Sequence, residues 1–545
     1  MKKELPNKIA KIIFDALKRI NVNFDIKKIN VNIPKNNKFG DYTTNIAFKI
    51  SHVLKLKPID VAHKIISFLD KNIFNKVEVV EPGFINFFLK EKFILPIISK
   101  IIKQNRLYGA GKNKKKKVNV EFVSANPTGD LHVGHVRGAV YGDTLSRIMS
   151  FAGYDVTREY YVNDNGNQIT KLAESVYQRY LQLFGHKFCI PEDGYNGKDI
   201  IEIAKYFKNK YGDKLLKCGL KEMEIFKKES VKKKISDIKL DLKKIGVVFD
   251  VFSHETKIIK SKKINKVLKD LDKFIYSENG AKFIKTSKFL DDKDRVILKK
   301  DGLFTYFLPD IAYHFNKVER GFDFLIDVLG ADHHGYINRM KSVLMMKGYS
   351  PDILKVVLIQ LVKIVDNNGK EIRMSKREGN AVTLKELMQE LDINVIRYFF
   401  IDRCNTSHLN FNYDLAKISN SNNPVYYVMY AHARLNNVLE LAKNKNIKIN
   451  CSGYLLNEKM EIKIIDQIKE FPILIDKISQ NYKIHDFVTY VFSLASLVHS
   501  YYNKYRIIDE NQIELSSNRL ALILAVKIVL RNALKLIGIE APNRM

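Results

Sequence analysis

The sequence predicts an α/β multidomain protein, with a parallel-sheet domain in the middle, a small α+β domain before it and an all-α domain after it. Three observations carry that expectation. Residues 118–142, VNVEFVSANPTGDLHVGHVRGAVYG, begin with the apolar and β-branched Val118, Val120, Phe122 and Val123. They pass through a turn-forming segment into helix-like spacing at Val133, Val136 and Val140. A second strand-like run, 156–162, follows after Gly153, and strand, helix, strand in that order is the start of a parallel βαβ unit. From about residue 385 to the end, apolar residues keep helical spacing almost throughout.

A chain of 545 residues exceeds one compact core, and a hydrophobic fraction of 46% suffices for several. Lys+Arg 92 against Asp+Glu 60 gives a net charge of +32 and a pI near 9.6. That excess suits a polyanion such as nucleic acid, because each neutralised phosphate releases a counter-ion. A general richness in Lys, Ile and Asn would produce it without any partner. Cys189, Cys218, Cys404 and Cys451 show no CxxC spacing, which argues against a disulfide framework or zinc site and for a reducing compartment. No apolar run reaches the roughly 18 residues of a membrane span. The N-terminus, MKKELPNKIAKIIFDAL, reads as an amphipathic helix with Ile9, Ile13 and Leu17 on one face, not as a signal peptide. A cytoplasmic protein without membrane association is expected.

Residues 1–110 read as the small α+β domain, with helices near 5–20, 43–56 and 59–70. Two strands are expected within 77–89, joined at Pro82-Gly83. The lysine run at 112–117 is a solvated linker or a phosphate contact, the linker being favoured. The central domain spans 118–384. Within it, about 170–300 is long, helical and Lys-rich, for example Lys232-Lys233-Lys234, and reads as an insertion between two halves of the sheet domain. Strand-like runs return at 302–308, 324–329 and 356–365. Residues 385–545 form the helical domain.

Strand, tight loop and helix N-terminus together make a nucleotide-phosphate site, because free N–H groups and the dipole at a helix start favour anions. His132 and His135, three residues apart, share one side of the first turn. Gly134 between them leaves room for a base or ribose against the backbone. Taken alone, HxxH fits a polar helix end as well as a catalytic pair. The segment 369–380, GKEIRMSKREGN, has flanking glycines that permit movement, and its Arg373, Lys376 and Arg377 suit a triphosphate gripped in the transition state. Alone it is a basic surface loop. Asp310, behind Pro309 and four residues after Tyr306, reads by itself as an ordinary acid in a helix first turn, and Tyr306 as a packed aromatic. Asp332, His333 and His334 end an apolar strand and are placed for ribose or substrate contacts. As metal ligands they are less well suited, since adjacent histidines point to opposite sides of an extended chain; no metal site is expected. Tyr426, Tyr427, Tyr430, His432 and Arg434 can stack on bases and contact phosphate, or pack within a bundle.

His132-Val133-Gly134-His135 and Met374-Ser375-Lys376 together resemble the HIGH and KMSKS motifs of class I aminoacyl-tRNA synthetases. VEFVSANPTG at 120–129, GADHHG at 330–335, NPVYYV at 423–428, YAHAR at 430–434 and the ending APNRM at 541–545 resemble arginyl-tRNA synthetases, and the resemblance runs from the first residues to the last. It implies an N-terminal tRNA-binding domain at 1–110 and a Rossmann-like catalytic domain at 118–384. That domain carries a helical insertion at about 170–300 and a KMSKS-like loop at 369–380. A helical anticodon-binding domain at 385–545 completes the chain. The implied reaction is ATP-dependent activation of L-arginine to arginyl-adenylate, Mg2+ accompanying ATP, then transfer to the 3' adenosine of arginine tRNA. Activation is expected to require that tRNA, and the chain to act as a monomer.

By the same resemblance, His132, His135 and Lys376 are the catalytic residues, and Gly134, Asp332, Met374, Ser375 and Lys376 bind ATP. Glu121, Asn126, Tyr306, Asp310 and His334 bind arginine, whose planar fork of donors calls for buried carboxylates. Tyr426, Tyr430, Arg434 and Met545 contact tRNA. Arg373 and Arg377 stand where the loop motif has Lys and Ser. Asn532 and Lys535 depart from the family's Asp-Ala-Leu-Arg signature. A class I synthetase for another amino acid and a catalytically silent RNA-binding protein are the rival readings.

Overall fold

The computed structural model describes residues 4–32, 34, 39–90, 96–189, 191–372 and 382–545. Met374, Ser375 and Lys376 therefore lie outside the described residues, as do Arg373 and Arg377. The chain divides into two compact units. One is Met1–Tyr108, Leu435–Ile473 and Leu497–Val529, and the other is Gly109–Arg434, Leu474–Ser496 and Leu530–Met545.

In the first unit, helices α1 (Glu4–Arg19), α2 (Ile46–Leu54) and α3 (Pro58–Ser67) accompany a four-stranded antiparallel sheet. Its strands are β1 (Val31–Asn32), β2 (Tyr42–Thr44), β3 (Phe74–Val80) and β4 (Phe84–Leu89), in the order β1-β2-β4-β3. Ile9, Ile13 and Leu17 are fully buried, as their spacing on α1 requires. Residues 43 and 44, expected in a helix, belong instead to β2. Two threonines there suit a pleated strand, and the Thr44 hydroxyl donates to the Asn30 carbonyl at 2.7 Å. Helix α4 (Pro96–Gln104) follows.

The second unit is built on a five-stranded sheet in which every neighbour is parallel. Strand β5 (Lys117–Glu121) is central, helix α5 (Val133–Phe151) returns the chain, and β6 (Asp155–Val162) pairs beside β5. Val118 and Val120 are fully buried, as befits a strand covered on both faces. A Cβ on Gly142 would lie 2.2 Å from Cγ of Phe122, so only glycine lets α5 pack against the end of β5. Arg137 on α5 donates to the carbonyls of Gln360, Cys404 and Ser407 at 2.8–2.9 Å.

The stretch expected as a helical insertion opens with three helices, α6 (Asn167–Gln182), α7 (Lys198–Tyr211) and α8 (Leu220–Lys244), but is not helical throughout. The chain then forms β7 (Val251–His254), an edge strand of the central sheet, followed by α9 (Glu255–Lys260) and α10 (Lys263–Asp270). A small antiparallel sheet of β8 (Ile275–Glu278), β9 (Ala281–Ile284) and β10 (Arg295–Leu298) comes next. The sequence of β7, VFSH, is too short and too polar to show a period of two. It becomes a strand by pairing with residues Glu159 to Val162 of β6.

Residues 302–308 also differ from expectation. Phe304 makes an isolated bridge to Leu298, and helix α11 (Phe307–Glu319) has begun by Phe307. Pro309 sits in its first turn, where a missing N–H removes no helical hydrogen bond. Strand β11 (Phe324–Gly330) lies between β5 and β12 (Leu354–Ile359), with α12 (Tyr336–Met346) connecting them. The run 356–365 divides into β12 and β13 (Val362–Val365), and β13 pairs in parallel with β14 (Leu409–Asn412). Helices α13 (Leu384–Glu390), α14 (Ile393–Phe399) and α15 (Tyr413–Lys417) lead to four long helices. These are α16 (Pro424–Asn444), α17 (Lys459–Asn481), α18 (Ile484–Lys504) and α19 (Ile513–Leu536), each contributing to both units. Among the described residues, no helix is long and apolar enough to cross a membrane.

Candidate active site

Parallel sheets bind ligands beyond the carboxyl ends of their strands, and there the chain leaves β5 for α5. His132 is the N-cap of α5. Its Nδ1 accepts the Gly134 backbone N–H at 3.1 Å, and Nδ1 of His135 accepts the backbone N–H of His132 at 3.3 Å. The two rings stack with centroids 3.7 Å apart. With both Nδ1 atoms accepting, each ring is neutral and carries its proton on Nε2. Burial lowers the pKa of His132, and burial together with His132 brings His135 down to about 4.

The residues that follow the KMSKS-like motif are fastened to this helix start. Val133 N–H donates to the Val382 carbonyl at 3.0 Å, Leu384 N–H donates to the Leu131 carbonyl at 2.7 Å, and His132 bridges to Thr383. Asp130, just before the histidines, accepts from Lys234 of α8 and Lys385 of α13, each at 3.1 Å. Burial disfavours its charge, but the two lysines outweigh that and hold its pKa below the usual value.

A group of carboxylates lies at the ends of the neighbouring strands and helices. Asp310, half-buried in the first turn of α11, accepts a hydrogen bond from the Tyr336 hydroxyl. Glu255, the first residue of α9 immediately after β7, is only 3% exposed. Burial first, then the nearby charges of Asp164 and Asp310, push its carboxyl up to about 7. The Asn163 amide, turned with its nitrogen toward Glu255, donates to Oε2 at 2.6 Å. Asp164 is occupied differently: it accepts from Thr256 N and Oγ1 and pairs with His254 Nδ1, all at 2.8 Å. Sequence reasoning missed Glu255. Its only signal was an acid directly after a strand that was itself unrecognised.

Tyr306, 70% exposed, caps α11, and its hydroxyl is 3.4 Å from where a side chain on Gly166 would begin. Gly166 has φ +89, a conformation that glycine adopts freely. Asn126 is exposed and donates to Oε1 of Gln168 at 2.7 Å. Glu121 is not open like Asp310. Its carboxylate is buried, held by the Lys317 ammonium and by the Ser124 hydroxyl at 2.9 Å. Asp332 and His334 are exposed on and just after the short turn Ala331–His333, beyond the end of β11.

On α16, Tyr426 is half-buried, while Tyr430 is exposed with the Arg434 guanidinium 4.7 Å above its ring. His432 Nδ1 bonds the Pro542 carbonyl at 2.8 Å, drawing the terminal segment of exposed Met545 onto that helix.

Comparison with known proteins agrees along the chain. Residues 7–89 match the arginyl tRNA synthetase N terminal domain, 97–421 the class I (R) tRNA synthetase catalytic domain, and 428–545 the DALR anticodon binding domain. An arginine–tRNA ligase of Geobacillus thermodenitrificans is 43% identical over 530 residues, covering 96% of this chain and 95% of that protein. One of Anoxybacillus flavithermus is 42% identical over 553 residues, covering 99% of each. The Thermus thermophilus arginyl-tRNA synthetase structure aligns with a TM-score of 0.74 at 20% identity, over 99% of this chain and 100% of that one, and so shares the fold. With near-complete coverage at this identity, and three domain matches in order, the chain belongs to the arginyl-tRNA synthetase family of class I.

Proposed function

We propose that this chain is an arginine–tRNA ligase, acting in the cytoplasm as a monomer, in which Asp310 and Glu255 read the guanidinium of L-arginine. The observation that carries the reading is the pair of carboxylates, one open and one buried, at the ends of α11 and β7. Buried carboxylate charge without an internal cation is costly, and a bound guanidinium offsets that cost with a planar fork of donors. Tyr306 would close over the side chain, while Asn126 and His334 hold the amino and carboxylate groups. Glu121 would act from the floor of the pocket.

In the first step the arginine carboxylate attacks the α-phosphorus of ATP, whose Mg2+ arrives with the nucleotide. The bond to the bridging oxygen breaks and pyrophosphate leaves. The Nε2–H groups of His132 and His135 donate to phosphate oxygens as charge builds, Gly134 leaves room for the nucleoside, and Asp332 meets the ribose. Lys376, with Met374 and Ser375, neutralises the departing pyrophosphate. Catalysis here is positioning and charge stabilisation, with no covalent enzyme intermediate. In the second step a hydroxyl of the terminal adenosine of tRNA attacks the arginyl carbonyl and AMP leaves. Tyr426, Tyr430, Arg434 and Met545 contact that tRNA by stacking and charge.

ATP–pyrophosphate exchange with a panel of amino acids, with tRNA present, tests the reading. Exchange dependent on arginine supports it; exchange with another amino acid, or none, overturns it.

A further inference from the structure

Beneath the proposed arginine pocket lies a buried charge cluster, of which the mechanism above uses only the carboxylates that face arginine. Lys317 on α11 is fully buried, and its ammonium sits between Glu121 and Asp327, 3.0 Å from Asp327 Oδ1. His314, three residues earlier on the same helix face, is 2% exposed. Its Nδ1 is 2.9 Å from the Asp310 carbonyl oxygen and 3.2 Å from Asp310 Oδ1, and its Nε2 is 2.9 Å from Asp327 Oδ2. Both ring nitrogens face acceptors, so the ring carries two protons and a positive charge. Asp327, in the middle of β11, is thus one acid gripping two cations, and each cation grips one carboxylate assigned to arginine.

The charges set what the cluster lacks. Glu121, Asp310 and Asp327 bring three negative charges against the two positive charges of Lys317 and His314. The neighbouring acid, Glu159, also feels the charge of Lys317 but brings a cation of its own: Arg320 bonds its Oε2 at 2.6 Å, and the Tyr313 hydroxyl donates to its Oε1 at 3.0 Å. One negative charge is left over in this set, and together with the ionised form of Glu255 it faces the position proposed for the guanidinium. The second consequence concerns aim. Glu121 accepts from the Ser124 hydroxyl, and that oxygen accepts the Tyr161 N–H at 3.0 Å. Between them Val123 and Ser124 hold φ of 67 and 39, a left-handed conformation especially unfavourable for a β-branched residue. Fixing Glu121 therefore fixes the turn that presents Asn126.

We infer that Asp327, Lys317 and His314 are positioning residues for arginine recognition: Asp327 orients Lys317 onto Glu121 and His314 onto Asp310, leaving one negative charge for the substrate guanidinium. The inference rests on reading this site as the arginine pocket. Burial opposes charge on His314, but Asp327 and the acceptors of Asp310 outweigh it and raise its pKa to about 10. Burial likewise opposes charge on Lys317, and Asp327 and Glu121 outweigh it. No residue of this set touches substrate, so its substitution shifts recognition through the carboxylates it holds.

The test is ATP–pyrophosphate exchange with tRNA present, on the full chain and on His314→Gln, Asp327→Asn and Lys317→Met, with thermal melts of each. The expected result is a rise in arginine KM of roughly tenfold or more, with the ATP KM within about twofold. A structural role alone lowers the melting temperature without separating the two KM values. If Lys317→Met does not fold, the near-isosteric His314→Gln and Asp327→Asn decide the question. Folded variants whose arginine and ATP KM values move together, or not at all, overturn the inference, as does a failure of all three to fold. An unsubstituted chain with no arginine-dependent exchange overturns the functional reading itself, which is a separate outcome.

Discussion

Nδ1 of His135 lies 3.3 Å from the backbone nitrogen of His132 and accepts its N–H, which fixes the tautomer of His135, while the Gly134 N–H does the same for His132. The first bond requires a neutral His135 ring, and burial holds its pKa at about 4 against an ordinary 6.5. A histidine with a depressed folded pKa contributes stability that is present above about pH 6.5 and is lost as pH falls toward 4. A proton titration of the imidazole signals by nuclear magnetic resonance is expected to show His135 near 4. A midpoint near 6.5 would contradict the capped geometry.

Asp310 is the open carboxylate of the proposed pocket. Hydrogen bonds to charged groups contribute about 1.5–3 kcal/mol, so Asp310→Ala is expected to raise the arginine KM roughly 10- to 150-fold. The ATP KM should change far less. Equal effects on the two, measured by exchange kinetics with tRNA present, would remove Asp310 from the arginine site.

Glu255 is half-ionised near neutrality, its carboxyl pushed up to about 7 by burial, Asp164 and Asp310. A guanidinium prefers the ionised form, so the arginine KM should fall as pH rises from 6 toward 8, through the Glu255 pKa of about 7. Glu255→Gln should raise the arginine KM and flatten that profile. A profile of unchanged shape in the variant would assign the titration to another group.

How much of this was legible in the sequence depends on what kind of signal each part leaves. The β5–α5–β6 start and the histidine pair were legible, because a β-branched strand, a Pro-Gly turn and a helical apolar stripe are local patterns. Strand β7 was not, since four residues of mixed polarity become a strand only by pairing with β6. Glu255 vanished with it into a lysine-rich stretch. Residues 302–308 looked like a strand because Phe304, Thr305, Tyr306 and Phe307 are strand-favouring types, yet Pro309 already marked a helix first turn. Asp327 left a trace that was available: an acid inside the apolar run FLIDVL. An acid within a covered strand needs a buried partner, and Lys317 and His314 could be found only once α11 was packed against β11.

The ion pair of Asp143 and Arg397, 2.6 Å apart and fully buried on both sides, anchors α5 away from the chemistry. Arg397 also donates to the carbonyls of Ile245 and Ile537, at 2.8 and 2.7 Å. Arg397→Met takes from Asp143 one of its two close guanidinium partners, Arg147 Nε staying at 2.7 Å, leaves two buried carbonyls without their donor, and is expected to cost about 1–3 kcal/mol. Circular dichroism melts should show a lower midpoint, and the ratio of arginine to ATP KM should hold. A selective rise in arginine KM would mean that Arg397 acts on the pocket.

The most direct measurement of the central claim is aminoacylation: purified protein, MgATP, labelled arginine and arginine tRNA, followed by recovery of label on the tRNA. Arginyl-tRNA is expected to form with release of AMP and pyrophosphate, and no charging is expected when arginine is replaced by lysine. Uncharged tRNA in the presence of folded protein and all three substrates would contradict it.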